Sequence, residues 1–156
     1  MRDMMNPEIF FCDTYALVEI ALGNTRYTKY ITYVLVTSEQ NIMELYYAFL
    51  RDYDQQKAEK HFQFWSYFIV HIPQQTIKNA MKFKLANKKD KLSYVDCIGY
   101  IFSQENEMKF LTGDQKFENK IGVEFVKYWP DSNRRSSLSK QFCRFSFSNK
   151  LENRLP

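Results

Sequence analysis

The chain has 156 residues, enough for one domain with a full hydrophobic core and no need of covalent staples. Aromatic residues make up 17% while Gly and Pro number four each, which excludes a disordered chain and an all-β fold dense in tight turns. Residues 1–127 carry 16 Lys+Arg against 16 Asp+Glu, so the net +4 belongs to residues 128–156, and a uniformly basic face is excluded.

Ile9 to Cys12 is continuously apolar between Pro7 and Asp13, the pattern of a short strand buried on both faces. From Asp13 the spacing turns helical, with Leu17, Ile20 and Ala21 on one face and Gly23-Asn24 as a stop. A second short helix is expected over 25–32, then a strand at Val34-Leu35-Val36. Thr37 or Ser38 caps a longer helix to about Tyr53, with Thr37 and Gln40 at capping-box spacing. A helix over 55–67 precedes an expected strand over 68–72. Pro73 suits a first helical position, and 74–85 forms the next helix.

Residues 87–91 make a charged loop, after which Ser93 and Asp96 form a capping-box pair opening a helix through Ser103. Residues 109–112 and 123–127 are the last two expected strands, with a turn or short helix over 114–119 between them. Apolar strands alternating with helices predict a parallel sheet covered by helices on both faces. In such sheets chemistry gathers beyond the carboxyl ends of the strands. From about Tyr128 the pattern dissolves; 130–139 is polar, and 143–148 alternates like an edge strand.

Cys12, Cys97 and Cys143 are odd in number, widely spaced and form no CxxC pair, so reduced structural thiols in a cytosolic protein are expected. His61 and His71 suit ordinary packed or surface positions. No apolar run near the N-terminus is long enough for a leader. The greasiest stretch, 62–72, contains Gln63, Ser66 and His71 and is too short to cross a bilayer.

Four acids stand out against this frame. Asp13 and Asp114 end predicted strands, Glu44 lies inside the helix after the second strand, and Asp96 opens the helix before the third. Each has an ordinary explanation alone: a helix entry for Asp13, the capping box for Asp96, a solvated helix face for Glu44, a turn for Asp114. Together, with no cationic partner nearby in sequence, they are electrostatically costly unless a hard divalent cation sits among them.

The segments carrying these acids, Phe11-Cys12-Asp13-Thr14-Tyr15-Ala16, Asn41-Ile42-Met43-Glu44-Leu45-Tyr46, Leu92-Ser93-Tyr94-Val95-Asp96 and Phe110 to Phe117, resemble the PIN domain in order and spacing. Gly122 to Val126 supplies the closing strand, and the likeness is greatest to VapC-type toxin ribonucleases. The resemblance covers about residues 7–128 and implies a three-layer α/β/α sandwich with a parallel, PIN-like central sheet. It places a PIN-like nuclease domain in 1–128 and a C-terminal extension without counterpart in 129–156.

The resemblance further implies that Asp96 faces Asp13, and that Asp13, Glu44, Asp96 and Asp114 hold Mg²⁺ or Mn²⁺. The implied activity is endoribonuclease, hydrolysing RNA phosphodiester bonds to 5′-phosphate and 3′-hydroxyl ends. A toxin of a type II toxin–antitoxin pair is expected: cytoplasmic, homodimeric, with a small antitoxin over the site and no membrane. Thr112 and Thr14 are placed to support a carboxylate, alongside plain turn or cap roles. Lys88, Lys89 and Lys91 lie in the densest basic stretch of 1–127 and are candidates for the RNA backbone, against a default of solvated lysines. Tyr15, Tyr27, Tyr30 and Tyr33 suit core or dimer packing rather than base stacking.

Two alternatives keep the fold. One is a PIN-fold RNA-processing nuclease, the other a non-catalytic RNA- or protein-binding module. A phosphoacceptor receiver domain would need paired acids after the first strand, which Cys12-Asp13-Thr14 lacks, although Lys127 after the last strand is placed suggestively.

Overall fold

A computed structural model describes residues 7–127 of the chain, so the alternation expected over 143–148 and the extension expected over 129–156 lie outside the described residues. The sheet has four parallel strands in the order β2-β1-β3-β4, with β1 Ile9–Cys12, β2 Val34–Val36, β3 Lys109–Thr112 and β4 Val123–Phe125. The helices are α1 Thr14–Ala21, α2 Thr25–Thr28, α3 Glu39–Asp52, α4 Gln55–Ser66, α5 Gln74–Ala86 and α6 Tyr94–Glu105. Short 3₁₀ turns at Lys29–Thr32, Lys88–Asp90 and Gln115–Phe117 complete the connections.

The period-2 alternation of the strands sorts their side chains onto two cores. Phe10, Cys12, Leu35 and Leu111 join Leu17, Tyr27, Leu45 and Trp65 from α1 to α4 on one face. Phe11 and Phe110 join Ala80, Ile98, Tyr100 and Phe102 from α5 and α6 on the other. Helices therefore cover both faces, the α/β/α arrangement of a parallel sheet whose strands β1 and β3 carry apolar side chains on both sides. Tyr15, Tyr27 and Tyr30 are buried in the first core, while Tyr33 is exposed with its ring edge-on to Phe10.

Four sequence expectations change. The strand over 68–72 reduces to a single parallel bridge between Thr37 and Ile69, carried by Thr37 N–H to Phe68 O and Val70 N–H to Thr37 O, both 2.9 Å. The chain leaves the sheet at Ser38 to enter α3, so nothing remains for residues 70–72 to pair with. Pro73 is the residue before α5 rather than its first residue, and β4 stops at Phe125. Ser38, not Thr37, caps α3, its hydroxyl accepting Asn41 N–H at 3.3 Å. Thr37 turns its hydroxyl to the Cys12 carbonyl at 2.9 Å, tying the end of β2 to the end of β1.

Gly113 fixes the chain between β3 and Asp114. A methyl group there would sit 2.2 Å from Tyr15 Cε1 and 2.6 Å from the Tyr27 hydroxyl, which itself donates to Val126 O at 2.8 Å. Gly113→Ala is expected to cost about 1–3 kcal/mol through overpacking. Urea unfolding measures it, and an unchanged midpoint would mean that the tyrosine pair yields freely. No helix among the described residues is long and apolar enough to cross a membrane. Cys12 and Cys97 are buried and unbridged, and burial raises both thiols, Cys97 to about 12.

Candidate active site

Asp13 is the first residue beyond β1. Its N–H extends the sheet ladder one rung by donating to Leu111 O at 3.1 Å, which anchors its backbone at the carboxyl edge. The side chain caps α1, Oδ1 accepting Thr14 N–H at 2.6 Å. Its other oxygen, Oδ2, accepts the Thr112 hydroxyl at 2.7 Å. The same Thr112 oxygen accepts Asp114 N–H at 3.1 Å, so one hydroxyl at the end of β3 sets two acids.

Glu44 comes in from the second turn of α3, where it is half-buried, and its Oε2 accepts the Thr14 hydroxyl at 2.6 Å. Asp96 is half-buried in the first turn of α6. The capping box forms there: Asp96 N–H donates to Ser93 Oγ at 3.0 Å, and Ser93 N–H to Asp96 Oδ2 at 3.3 Å. Asp114 Oδ1 accepts Lys116 N–H at 3.0 Å. The Lys116 ammonium reaches Lys91 O at 3.1 Å, and the Lys120 ammonium reaches Asp90 at 2.9 Å. Together they hold the 88–91 turn beside the acids, with Lys88, Lys89 and Lys91 exposed on it.

The acids sense one another. Burial, and then the charges of Asp96, Glu44 and Asp114, push the Asp13 carboxyl well above its ordinary range, against the lowering pull of the Thr112 hydroxyl. Burial and the Asp96 charge raise Glu44 to about 7, with Thr14 opposing. Asp96 is raised by burial and by Asp114, and lowered by Ser93 and by the Lys116 charge. Such a group titrates as a set.

Among the described residues, no three or more His, Cys, Asp or Glu side chains are drawn together closely enough to hold a metal ion as they stand. The chemistry of the donors nonetheless fits one class of guest. All are carboxylate oxygens, as a hard divalent cation prefers, and the charge each imposes on its neighbours is the charge such an ion neutralises.

Asn41 is a site residue that sequence reasoning missed. It is fully buried in the first turn of α3, and its Nδ2 lies 3.1 Å from Thr14 Oγ1 and 3.5 Å from Asp13 Oδ1. Its spacing of three from Glu44 was the available signal, since residues i and i+3 share a helix face.

No family model matches the chain, and no curated protein does. Solved structures do. A toxin–antitoxin complex from Klebsiella pneumoniae matches with a TM-score of 0.60 at 17% identity, over 78% of this chain and 99% of that one. The sarcin-ricin loop cleaving toxin VapC20 of Mycobacterium tuberculosis matches with a TM-score of 0.63 at 16% identity, over 78% and 99%. PAE2754 from Pyrobaculum aerophilum matches with a TM-score of 0.60 at 16% identity, over 76% and 91%. The chain has the α/β/α fold of the PIN domain, with an all-parallel four-stranded sheet. Among these neighbours one is a VapC protein by name and another is a toxin–antitoxin complex, a likeness of fold at this level of identity.

Proposed function

We propose that this protein is a metal-dependent endoribonuclease that acts as the toxin of a toxin–antitoxin pair. The observation that carries the reading is the buried Asp13 carboxyl just beyond β1, which feels the charges of Asp96, Glu44 and Asp114. Each of Asp13, Glu44 and Asp96 is raised by another member of the set. Buried acids that destabilise one another are expected where function needs them. Two structural neighbours are described as a toxin–antitoxin complex and a sarcin-ricin loop cleaving toxin, which favours RNA as substrate and a small protein as partner.

Asp13, Glu44, Asp96 and Asp114 would hold Mg²⁺ or Mn²⁺. Such an ion supplies a nucleophilic water at neutral pH and positive charge for the phosphate. The chain's own residues supply the setting. Thr112 orients Asp13 and positions Asp114 through its backbone, Thr14 orients Glu44, and Ser93 locks Asp96. The lysines at 88, 89 and 91 form a basic rim for the RNA backbone. Reduced Cys12 and Cys97 suit a cytoplasmic protein, and a homodimer is the assembly proposed.

The direct test is an end-labelled RNA incubated with the protein in Mn²⁺ or in EDTA. Cleavage in Mn²⁺ alone, leaving 5′-phosphate ends and lost in Asp13→Asn, is the result expected. Tight RNA binding without turnover in either condition would favour the binding-module alternative. For the rim, Lys88→Gln, Lys89→Gln and Lys91→Gln combined should flatten the salt dependence of RNA binding by about 2 in log–log slope, at ~0.7 per phosphate contact on single strands. An unchanged slope would return these lysines to a solvated face.

A further inference from the structure

We propose that Asn41 is a positioning residue that sets the orientation of Glu44 through Thr14, as a neutral dipole aimed into the acidic pocket. Its amide is held from one side by Ser38, whose hydroxyl donates to Oδ1 at 2.6 Å. On the other side Nδ2 donates to Thr14 Oγ1 at 3.1 Å and points at Asp13 Oδ1, 3.5 Å away. While one of its lone pairs accepts from Asn41, the Thr14 hydroxyl sends its single proton to Glu44 Oε2 at 2.6 Å.

The order of this chain follows from the chemistry of its ends. Rotating the amide would turn Oδ1 toward Asp13 and make it compete with Glu44 for the Thr14 proton. Two carboxylates would then face a carbonyl oxygen with one donor between them. The donor-forward orientation alone satisfies every member.

The residue type matters as much as its place. A lysine or arginine at 41 would also steady the carboxylates, but its full charge would compete with a divalent cation for them. A buried amide supplies only a partial positive charge. It orders the acids and leaves their net charge intact. Asn41, Ser38 and Thr14 are all buried, where each hydrogen bond is electrostatically stronger than in water. Ser38 also accepts Asn41 N–H, so the residue that caps α3 is the one that aims its first buried amide at the pocket.

Two measurements decide the matter, and only the second rests on the metal-dependent reading given above. In protein carrying ¹³C-labelled Glu, with Glu44→Gln to assign the signal, Asn41→Leu and Thr14→Val should each move the Glu44 carboxyl resonance in metal-free buffer. A Glu44 signal unmoved by Asn41→Leu overturns the proposal whether or not the protein binds metal. Calorimetry with Mn²⁺ should show affinity about 10- to 100-fold weaker in Asn41→Leu, the usual cost of losing a group behind a metal ligand. The metal-free melting temperature serves as a control for folding. Affinity within twofold of wild type would equally overturn it. Absence of Mn²⁺ binding in the wild type would instead sink the nuclease reading, leaving the carboxyl signal to judge Asn41. Should Asn41→Leu fail to fold, Asn41→Ala, which removes the donor without adding bulk, takes its place in both measurements.

Discussion

Asp13→Asn is expected to abolish Mn²⁺-dependent RNA cleavage, by ~10³-fold or more, while leaving the metal-free protein at least as stable as wild type. The two effects share one cause. Asp13 is buried at the sheet edge, and Asp96, Glu44 and Asp114 all act against its charge. Asparagine keeps the shape and can still accept Thr14 N–H, so the α1 cap survives. The repulsion disappears, and with it the charge that helps to gather the cation. A three-decade loss corresponds to ~4 kcal/mol of transition-state stabilisation. In the metal-free state the melting temperature should rise by about 2–5 °C, as when other strained functional groups are relaxed. Scanning fluorimetry in EDTA and a gel assay in Mn²⁺ measure both. A variant that melts well below wild type would show that Asp13 is structural, and one that cleaves normally would remove it from the site.

A second large effect concerns pH. Glu44 is raised from an ordinary 4.5 to about 7 and Asp13 is also raised, so between these values the folded protein holds protons that the unfolded chain has shed. Stability of the metal-free protein therefore falls as pH rises through this window, and is greatest below the ordinary carboxyl range so far as these groups decide it. A divalent cation reverses the trend, because it binds the deprotonated acids and competes with their protons. The gain in melting temperature on adding Mn²⁺ should be small at pH 5 and grow through pH 7 to pH 8. At a concentration one hundred times the dissociation constant the stabilisation approaches ~2.7 kcal/mol. A gain independent of pH would mean that the ion binds somewhere other than these carboxylates.

Much of the site was legible because its acids sit where local rules already mark a boundary. Asp13 ends an apolar run and starts a helical one, and Ser93 with Asp96 spells a capping box that the structure forms. The parallel sheet and its two helical layers followed from apolar strands separated by helices. What escaped was tertiary. Residues 68–72 carry the hydrophobicity of a strand, but their neighbour in the sheet ends one residue past β2, so pairing stops at one bridge. Asn41 looked like an ordinary polar residue near a helix start, since nothing local announces that Thr14, 27 positions earlier, will be its partner. The grip of Lys116 and Lys120 on the 88–91 turn is likewise a contact between distant stretches, 25 and 30 residues apart.

The division of the interior has a practical meaning for how this protein would fail. Asp13 caps, and Glu44 rides on, helices seated over the core that contains Leu45 and Trp65, whereas Asp96 rides on the helix seated over Phe11, Ile98 and Phe102. The sheet between the two cores keeps those half-sites in register. Damage confined to either compartment, even a cavity far from any acid, would misalign one half against the other and silence the pocket before the protein as a whole came apart.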